Sequence, residues 1–223
     1  MKSLNTYISE GGFFKNVGAV QVKPKDNQEL RKLIKDTISE QGPDCDLNFI
    51  DVSNIDDLSG VFTHTEFNGD ISQWDVSNVE NMRNMFLGSK FNGDISNWDV
   101  SKVKDMTGMF ASSKFNGDIS KWNVSNVKSM CGMFTNSVFN GDISKWKVSK
   151  VNSMSDMFAS SKFNGDISKW NVSKVKSMRG MFTNSEFTGN ISKWNVSNVI
   201  NMSRMFFDSK LERLHMLPKW YKK

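Results

Sequence analysis

Residues 67–210 are six consecutive copies of one 24-residue unit, and a period that regular leaves few folds open. A unit of this length cannot close a core by itself, so it must bury its apolar face against its neighbours. Phe67, Phe91, Phe115, Phe139, Phe163 and Phe187 recur at that spacing. So do Trp74, Trp98, Trp122, Trp146, Trp170 and Trp194, and so do Phe86, Phe110, Phe134, Phe158, Phe182 and Phe206. The unit reads F-N-G-D-I-S-x-W-[DN]-V-S-x-V-x-x-M-x-x-M-F, followed by four residues that include a fixed Ser. A partial copy precedes it, with Val52, Ser53, Ile55, Leu58, Val61 and Phe62 in the corresponding slots. The last copy decays at Phe187-Thr188-Gly189-Asn190.

Two periodicities sit inside the unit. Trp74 and Val76 alternate with polar residues, which is the strand period. Val79, Met82, Met85 and Phe86 follow at three- and four-residue steps, which is the helix period. Ser77 stands between them at an N-cap slot, and Glu80 completes a capping box in that copy. Asn68-Gly69 tolerates positive φ and predicts a tight turn. The expected fold is therefore α/β: a leucine-rich-repeat-like solenoid with one short strand plus a helical turn per 24-residue rung. Parallel stacked strands about 4.8 Å apart would place like side chains over like. Met and Phe would fill slots that usually hold Leu. With 17 Phe, 14 Met and 7 Trp, the core is aromatic and thioether in character. At these spacings the Met, Trp and Phe ladders belong to that core rather than to a ligand groove.

The ends need covers, because a bare terminal rung is an open apolar face. Residues 27–40 predict a helix with Asn27 as N-cap, an apolar stripe of Leu30, Leu33, Ile34 and Ile38, and a stop at Gly42-Pro43. Leu211, Leu214, Met216, Leu217, Trp220 and Tyr221 are expected to close the other end. Pro24 and the polar residues around it read as a linker. The expected divisions are a targeting or flexible segment 1–23, an N-terminal capping helix 24–49, the array 50–210 and a C-terminal cap 211–223.

Charge is unevenly placed. Residues 1–66 carry 7 basic and 11 acidic side chains, whereas the array carries 18 basic and 12 acidic. Lys121, Lys145, Lys169 and Lys193 occupy the slot before Trp, and Lys147, Lys150, Lys174, Lys176 and Arg179 add to the basic character of the later copies. A basic stripe of this kind suits an acidic protein partner or a solvated face that keeps the stack soluble. Nucleic acid is compatible with the charge but not favoured, since the Trp residues alternate inward and leave no stacking platform. Variable slots such as Gln73, Asp75, Arg83, Asn84, Lys145, Lys147, Ser155 and Asp156 are where a partner would be chosen. The column Asp70, Asp94, Asp118, Asp142 and Asp166 ends in Asn190. Each Asp follows N-G, so bonding to turn N–H groups explains it better than calcium does. No metal site and no cofactor are expected. Cys45 and Cys131 sit in unlike contexts and suggest neither a disulfide framework nor a metal knuckle. His64 and His215 lie near opposite ends of the array, and no nucleophile–base arrangement or phosphate loop accompanies them, so catalysis is not expected. No apolar run approaches the roughly 20 residues that span a bilayer. The N-terminus also lacks the apolar core of a secretory signal.

The string FNGDISKWNVSNVKSMCGMF resembles the BspA-like leucine-rich-repeat surface proteins, whose repeats also occur in mycoplasma and listerial lipoproteins. The likeness covers about residues 50–210, and the ending Pro218 to Tyr221 is similar to ends in that family. It implies a non-catalytic adhesion or protein-binding array, displayed at the cell surface. The absence of a lipobox, signal peptide or wall anchor is a departure from the surface members. The first residues, MKSLNTYISE, resemble the capsid-targeting peptide of internal head proteins in tailed phages of the myovirus type, with Met1, Lys2, Ser3, Tyr7, Ile8 and Glu10 matching. That resemblance implies cleavage between Glu10 and Gly11 and packaging in the virion interior, with delivery to the host cytoplasm. The cell surface is the alternative location.

Overall fold

The computed structural model describes residues 21–222. Two helices form among them, α1 (Asn27–Gln41) and α2 (Lys210–Arg213). Asp26, in extended backbone, caps α1 by accepting the Glu29 N–H at 2.9 Å. The Glu29 carboxylate in turn accepts the N–H of Lys25, just before the cap, at 3.0 Å, so the two acidic side chains close the helix start reciprocally. The cap is thus one residue earlier than the sequence suggests. Asn27 is used elsewhere, donating its amide to the carbonyls of Asp57 and Ser59 at 2.9 and 3.2 Å. Leu30 and Ile34 are buried, Leu33 and Ile38 are half-buried, and Gly42 at φ +89° ends the helix with its N–H on the Ile38 carbonyl.

Between the helices runs a stack of 24-residue rungs beginning at Phe67, Phe91, Phe115, Phe139, Phe163 and Phe187, preceded by a partial rung. The expectation of an α/β solenoid with a strand and a helical turn per rung is overturned. Among the described residues the rungs contain no strand, no sheet and no helix. They are chains of turns, joined by isolated parallel bridges such as Asp57 to Asn81, Asn81 to Asp105, and Ser177 to Asn201.

The backbone shows why. Gly108 and Ser112, four residues apart, both have left-handed φ, 64° and 54°. The same pair recurs at Asn84 and Gly88, Gly132 and Asn136, Asp156 and Ser160, Gly180 and Asn184, and Arg204 and Asp208. A right-handed helix cannot run through a pair of left-handed residues four positions apart. The N–H groups therefore divide between two directions. Met85, Leu87 and Ser89 donate backwards within their rung, to the carbonyls of Met82, Asn84 and Phe86. Met82, Asn84, Phe86 and Gly88 donate across to Asp105, Thr107, Met109 and Ala111 of the next rung, at 2.8–2.9 Å. Three- and four-residue apolar spacing still buries one side, but it is the periodicity of successive turns. Ser77 has no helix to cap, and its own N–H is taken by Asp75 at 3.0 Å.

Turns of another kind, closed by aspartate side chains, prevent a strand around Trp. Asp94 accepts the Ser96 N–H and Asp99 accepts the Ser101 N–H, each at 2.9 Å. Two bends five residues apart leave no extended run long enough to count as a strand.

Side chains stack in columns. Phe86 and Phe110 lie 5.6 Å apart with rings 1° from parallel, and Phe86 also stacks on Phe91 at 4.5 Å. Trp74 and Trp98 are parallel within 3° at 6.4 Å. Each indole N–H reaches down to the rung below: Trp98, Trp122, Trp146, Trp170 and Trp194 donate to the carbonyls of Ile71, Ile95, Ile119, Ile143 and Ile167 at 3.1–3.2 Å. The Asn-Gly step has a different role from the one expected. Gly93 and its counterparts are not at positive φ; a Cβ on Gly93 would lie 2.8 Å from the ring of Phe91. Glycine is there to let the phenyl ring fold back over the chain.

Candidate interaction face

What the rungs turn outward is set by their turns. Asp70, Asp94, Asp118, Asp142 and Asp166, followed by Asn190, each accept the N–H of the Ser two residues on, at 2.8–3.0 Å. The Ser N–H and hydroxyl hold these five carboxyls below the usual carboxylate range. The aspartate column is therefore occupied by the backbone it bends. Beside it runs an asparagine ladder, in which Asn68, Asn92, Asn116 and Asn140 each accept the N–H of the next Asn at 2.7–2.8 Å. Thr188 closes that ladder on Asn164 at 2.8 Å.

The side bearing the Trp column carries the lysines. Lys121, Lys145 and Lys147 line one shallow depression of about 550 Å³ together with Ser120, Trp122, Asn123, Val124 and Ser125. Lys169 and Lys193 continue the Lys121 column on the next two rungs. Lys150 and Lys174 form the next column, where Lys150 Nζ donates to Asn126 Oδ1 at 2.7 Å. Lys128 and Lys176 occupy a further outward slot of their rungs, and both are exposed. The signal for Lys128 is the rung period, which places it in the slot of Lys104 and Lys176.

The stretches 119–128, 143–152, 167–176 and 191–200 hold nine lysines and no Asp or Glu. All nine are exposed, and among the described residues none forms an ion pair. The equivalent stretch of the first rung, 71–80, carries Asp75 and Glu80 and no lysine. The face thus changes sign along the stack. The neighbouring carboxylates of Asp118, Asp142 and Asp166 border Lys121, Lys145 and Lys169 and offset part of that charge.

Two of the variable slots turn out to be constrained. Asn84 and Asp156 are left-handed residues whose identity is limited by φ. Asp156 also pairs with Arg179 at 2.8 Å, and Glu80 with Lys104 at 2.6 Å. Cys45 is buried, which pushes its thiol up, and Cys131 Sγ sits 2.8 Å from Ser153 Oγ. Among the described residues no group of three or more His, Cys, Asp or Glu is placed to hold a metal, and no helix is long and apolar enough to cross a membrane. Glu10 and Gly11 lie outside the described residues.

The family described as "Mycoplasma protein of unknown function, DUF285" matches residues 30–138 and again 112–220. This supports the mycoplasma side of the resemblance carried by the repeat, and it offers nothing for the phage-type resemblance of residues 1–10. No curated protein and no solved structure matches the chain.

Proposed function

The chain belongs to the DUF285 family, and we propose that it is a non-catalytic interaction module whose later rungs bind an acidic protein partner. The observation that carries this reading is the run of nine exposed lysines on four successive rungs, with no carboxylate inside those stretches. Repeated rungs hold the ammonium groups in fixed columns, and fixed charges of one sign attract and orient a partner of the other sign. The invariant residues of the unit are taken up by core, turn and backbone roles. Recognition is left to the outward variable slots.

The test is binding of labelled poly-glutamate and of duplex DNA to the full chain across a salt series. A variant carrying Lys121→Gln, Lys145→Gln, Lys147→Gln and Lys169→Gln is measured alongside. Poly-glutamate binding should weaken with salt and fall at least about tenfold in the variant, roughly 1.4 kcal/mol, with no change in the melting temperature. Equal binding by both proteins rejects the lysine face. Tighter binding of DNA than of poly-glutamate transfers the role to nucleic acid.

A further inference from the structure

In every full rung before the last, four backbone N–H groups cross to carbonyls of the rung that follows. Met178, Gly180, Phe182 and Asn184 donate to the carbonyls of Asn201, Ser203, Met205 and Phe207 at 2.8–2.9 Å. In the final rung the Asp208 N–H goes to the Glu212 carboxylate, and Phe206 is covered by Trp220 and Tyr221. The N–H groups of Met202 and Arg204 have no hydrogen-bond partner among the described residues, and neither does the Ile200 carbonyl. Its counterpart one rung earlier, the Lys176 carbonyl, accepts from both Ile200 and Asn201 at 2.9 and 3.2 Å.

Apolar burial fails at the same place. Val172, Val175 and Met178 are at most 1% exposed, whereas Val196, Val199 and Met202 are only partly buried. Ile200 is 85% exposed and Phe207 59%, with the Arg204 guanidinium 5.8 Å above the Phe207 ring. The C-terminal segment covers the phenylalanine half of the rung: Trp220 donates to the Ile191 carbonyl at 3.2 Å, and Tyr221 meets Phe206 edge-on. Leu214 and Met216, expected in this cover, stand 52% exposed instead.

We propose that the uncovered half of the last rung receives an extended, acidic and apolar segment of a partner protein, lying parallel to residues 196–204 as a further partial rung. Main-chain bonds to the Ile200 carbonyl and to the Met202 and Arg204 N–H groups would set its register, and Val196, Val199 and Met202 would receive its apolar side chains. Residues 191–207 include Lys193 and Arg204 and no carboxylate, which selects acidic side chains at the outward positions.

A second copy fits less well. In head-to-tail stacking the acceptors for Met202 and Arg204 would be the carbonyls of Asp57 and Ser59. Those already accept from Asn27 and Arg31 of α1. Two-fold stacking would set the cations of residues 191–207 against their like.

The experiment uses the full chain and a fluorescein-labelled synthetic peptide, DVSEVEDMEG, built on the rung pattern with acids at the outward slots. A scrambled peptide and the variants Ile200→Asp and Phe207→Ser serve as comparisons. The peptide should bind with slowed amide exchange at Met202 and Arg204, and bind at least about tenfold more weakly to Ile200→Asp, whose melting temperature stays at the wild-type value. The quadruple lysine variant should retain the peptide, which keeps this site distinct from the lysine face. The proposal is overturned by absence of binding up to about 1 mM, by equal binding of the scrambled peptide or of Ile200→Asp, or by a wild-type dimer that Ile200→Asp dissolves.

Discussion

At the scale of the residue, the fold depends on positions where a few atoms decide the path of the backbone. The column Gly60, Gly108, Gly132 and Gly180 meets left-handed φ with glycine, but Asn84, Asp156 and Arg204 meet the same geometry with a side chain. An L-residue with a Cβ gives up about 1–2 kcal/mol in that region. Gly132 is the informative site, because a Cβ there would approach only Thr135 Oγ1, at 3.3 Å, so the backbone conformation dominates the effect. Gly132→Ala should lower stability by about 1–2 kcal/mol in urea unfolding, and Ser160→Gly, at φ 55°, should raise it by up to about 1 kcal/mol. Opposite signs are the result to look for. If both substitutions were neutral, left-handed φ would not be what sets the turns. In the indole column each Trp fills core volume and also supplies a buried N–H to a carbonyl below it, that of Leu47 for Trp74 and of an Ile one rung down for Trp98 to Trp194.

At the scale of the element, the recurring device is the carboxylate turn, and it makes stability depend on pH. Asp51 is held at about 2 by the Ser53 hydroxyl, Lys23 and the Ser53 N–H, and the column from Asp70 to Asp166 is lowered by its serines. These groups have lower pKa values folded than unfolded. Their contribution is therefore complete above the ordinary carboxylate value of about 3.9 and is lost as pH falls through the depressed folded values. Acidification from about pH 5 to about pH 2 should lower the urea midpoint. Asn190 shows that an amide oxygen can take the same N–H, at 3.0 Å. The triple variant Asp118→Asn, Asp142→Asn and Asp166→Asn should therefore keep the fold at neutral pH and flatten that acid slope. An unchanged slope would remove these turns as its cause. How much of this was legible in the sequence follows from the same physics. The period, the inward columns and the α1 stripe were readable because burial writes them directly into composition. Strand and helical turn do not follow from the pattern, because two-residue and three-residue apolar spacings arise equally from chained turns. The distinguishing signal was the column with Gly60, Gly108, Gly132 and Gly180, diluted by Asn84, Asp156 and Arg204. The N-cap is not legible in the sequence, because Asp26 and Asn27 cap equally well and only tertiary contact of Asn27 with Asp57 and Ser59 decides between them. The lysine face was half-legible: its columns follow from the period, while the depression that joins Lys121, Lys145 and Lys147 depends on how the turns bend.

At the scale of the whole molecule, each rung touches only its neighbours, so stability is a sum of rung and interface contributions and the ends are the points where the stack opens. The two ends are held differently. At the N-terminal end α1 lays Leu30 and Ile34 on the core and closes the carbonyls of Asp57 and Ser59 with Asn27 and Arg31. At the C-terminal end α2 buries Leu211 and returns the Lys210 N–H to the Ser185 carbonyl, and Trp220 and Tyr221 cover Phe206, but this secures only half a rung and leaves Met202 and Arg204 with unmatched N–H groups. Opening should therefore begin at residues 187–210 and travel toward α1. Native-state hydrogen exchange reads this directly, because Phe182 and Asn184 donate into the last rung, whereas Leu58 and Phe62 donate into the first. Trp220→Ala deletes the bond to Ile191 and the contact on Phe206, and should speed exchange at Phe182 and Asn184 by at least about tenfold, roughly 1.4 kcal/mol of local stability. Leu58 and Phe62 should exchange as in the wild type. Equal acceleration at both ends would mean that the stack opens as one cooperative unit, and coupling limited to neighbouring rungs would then be the wrong account of what holds these rungs together.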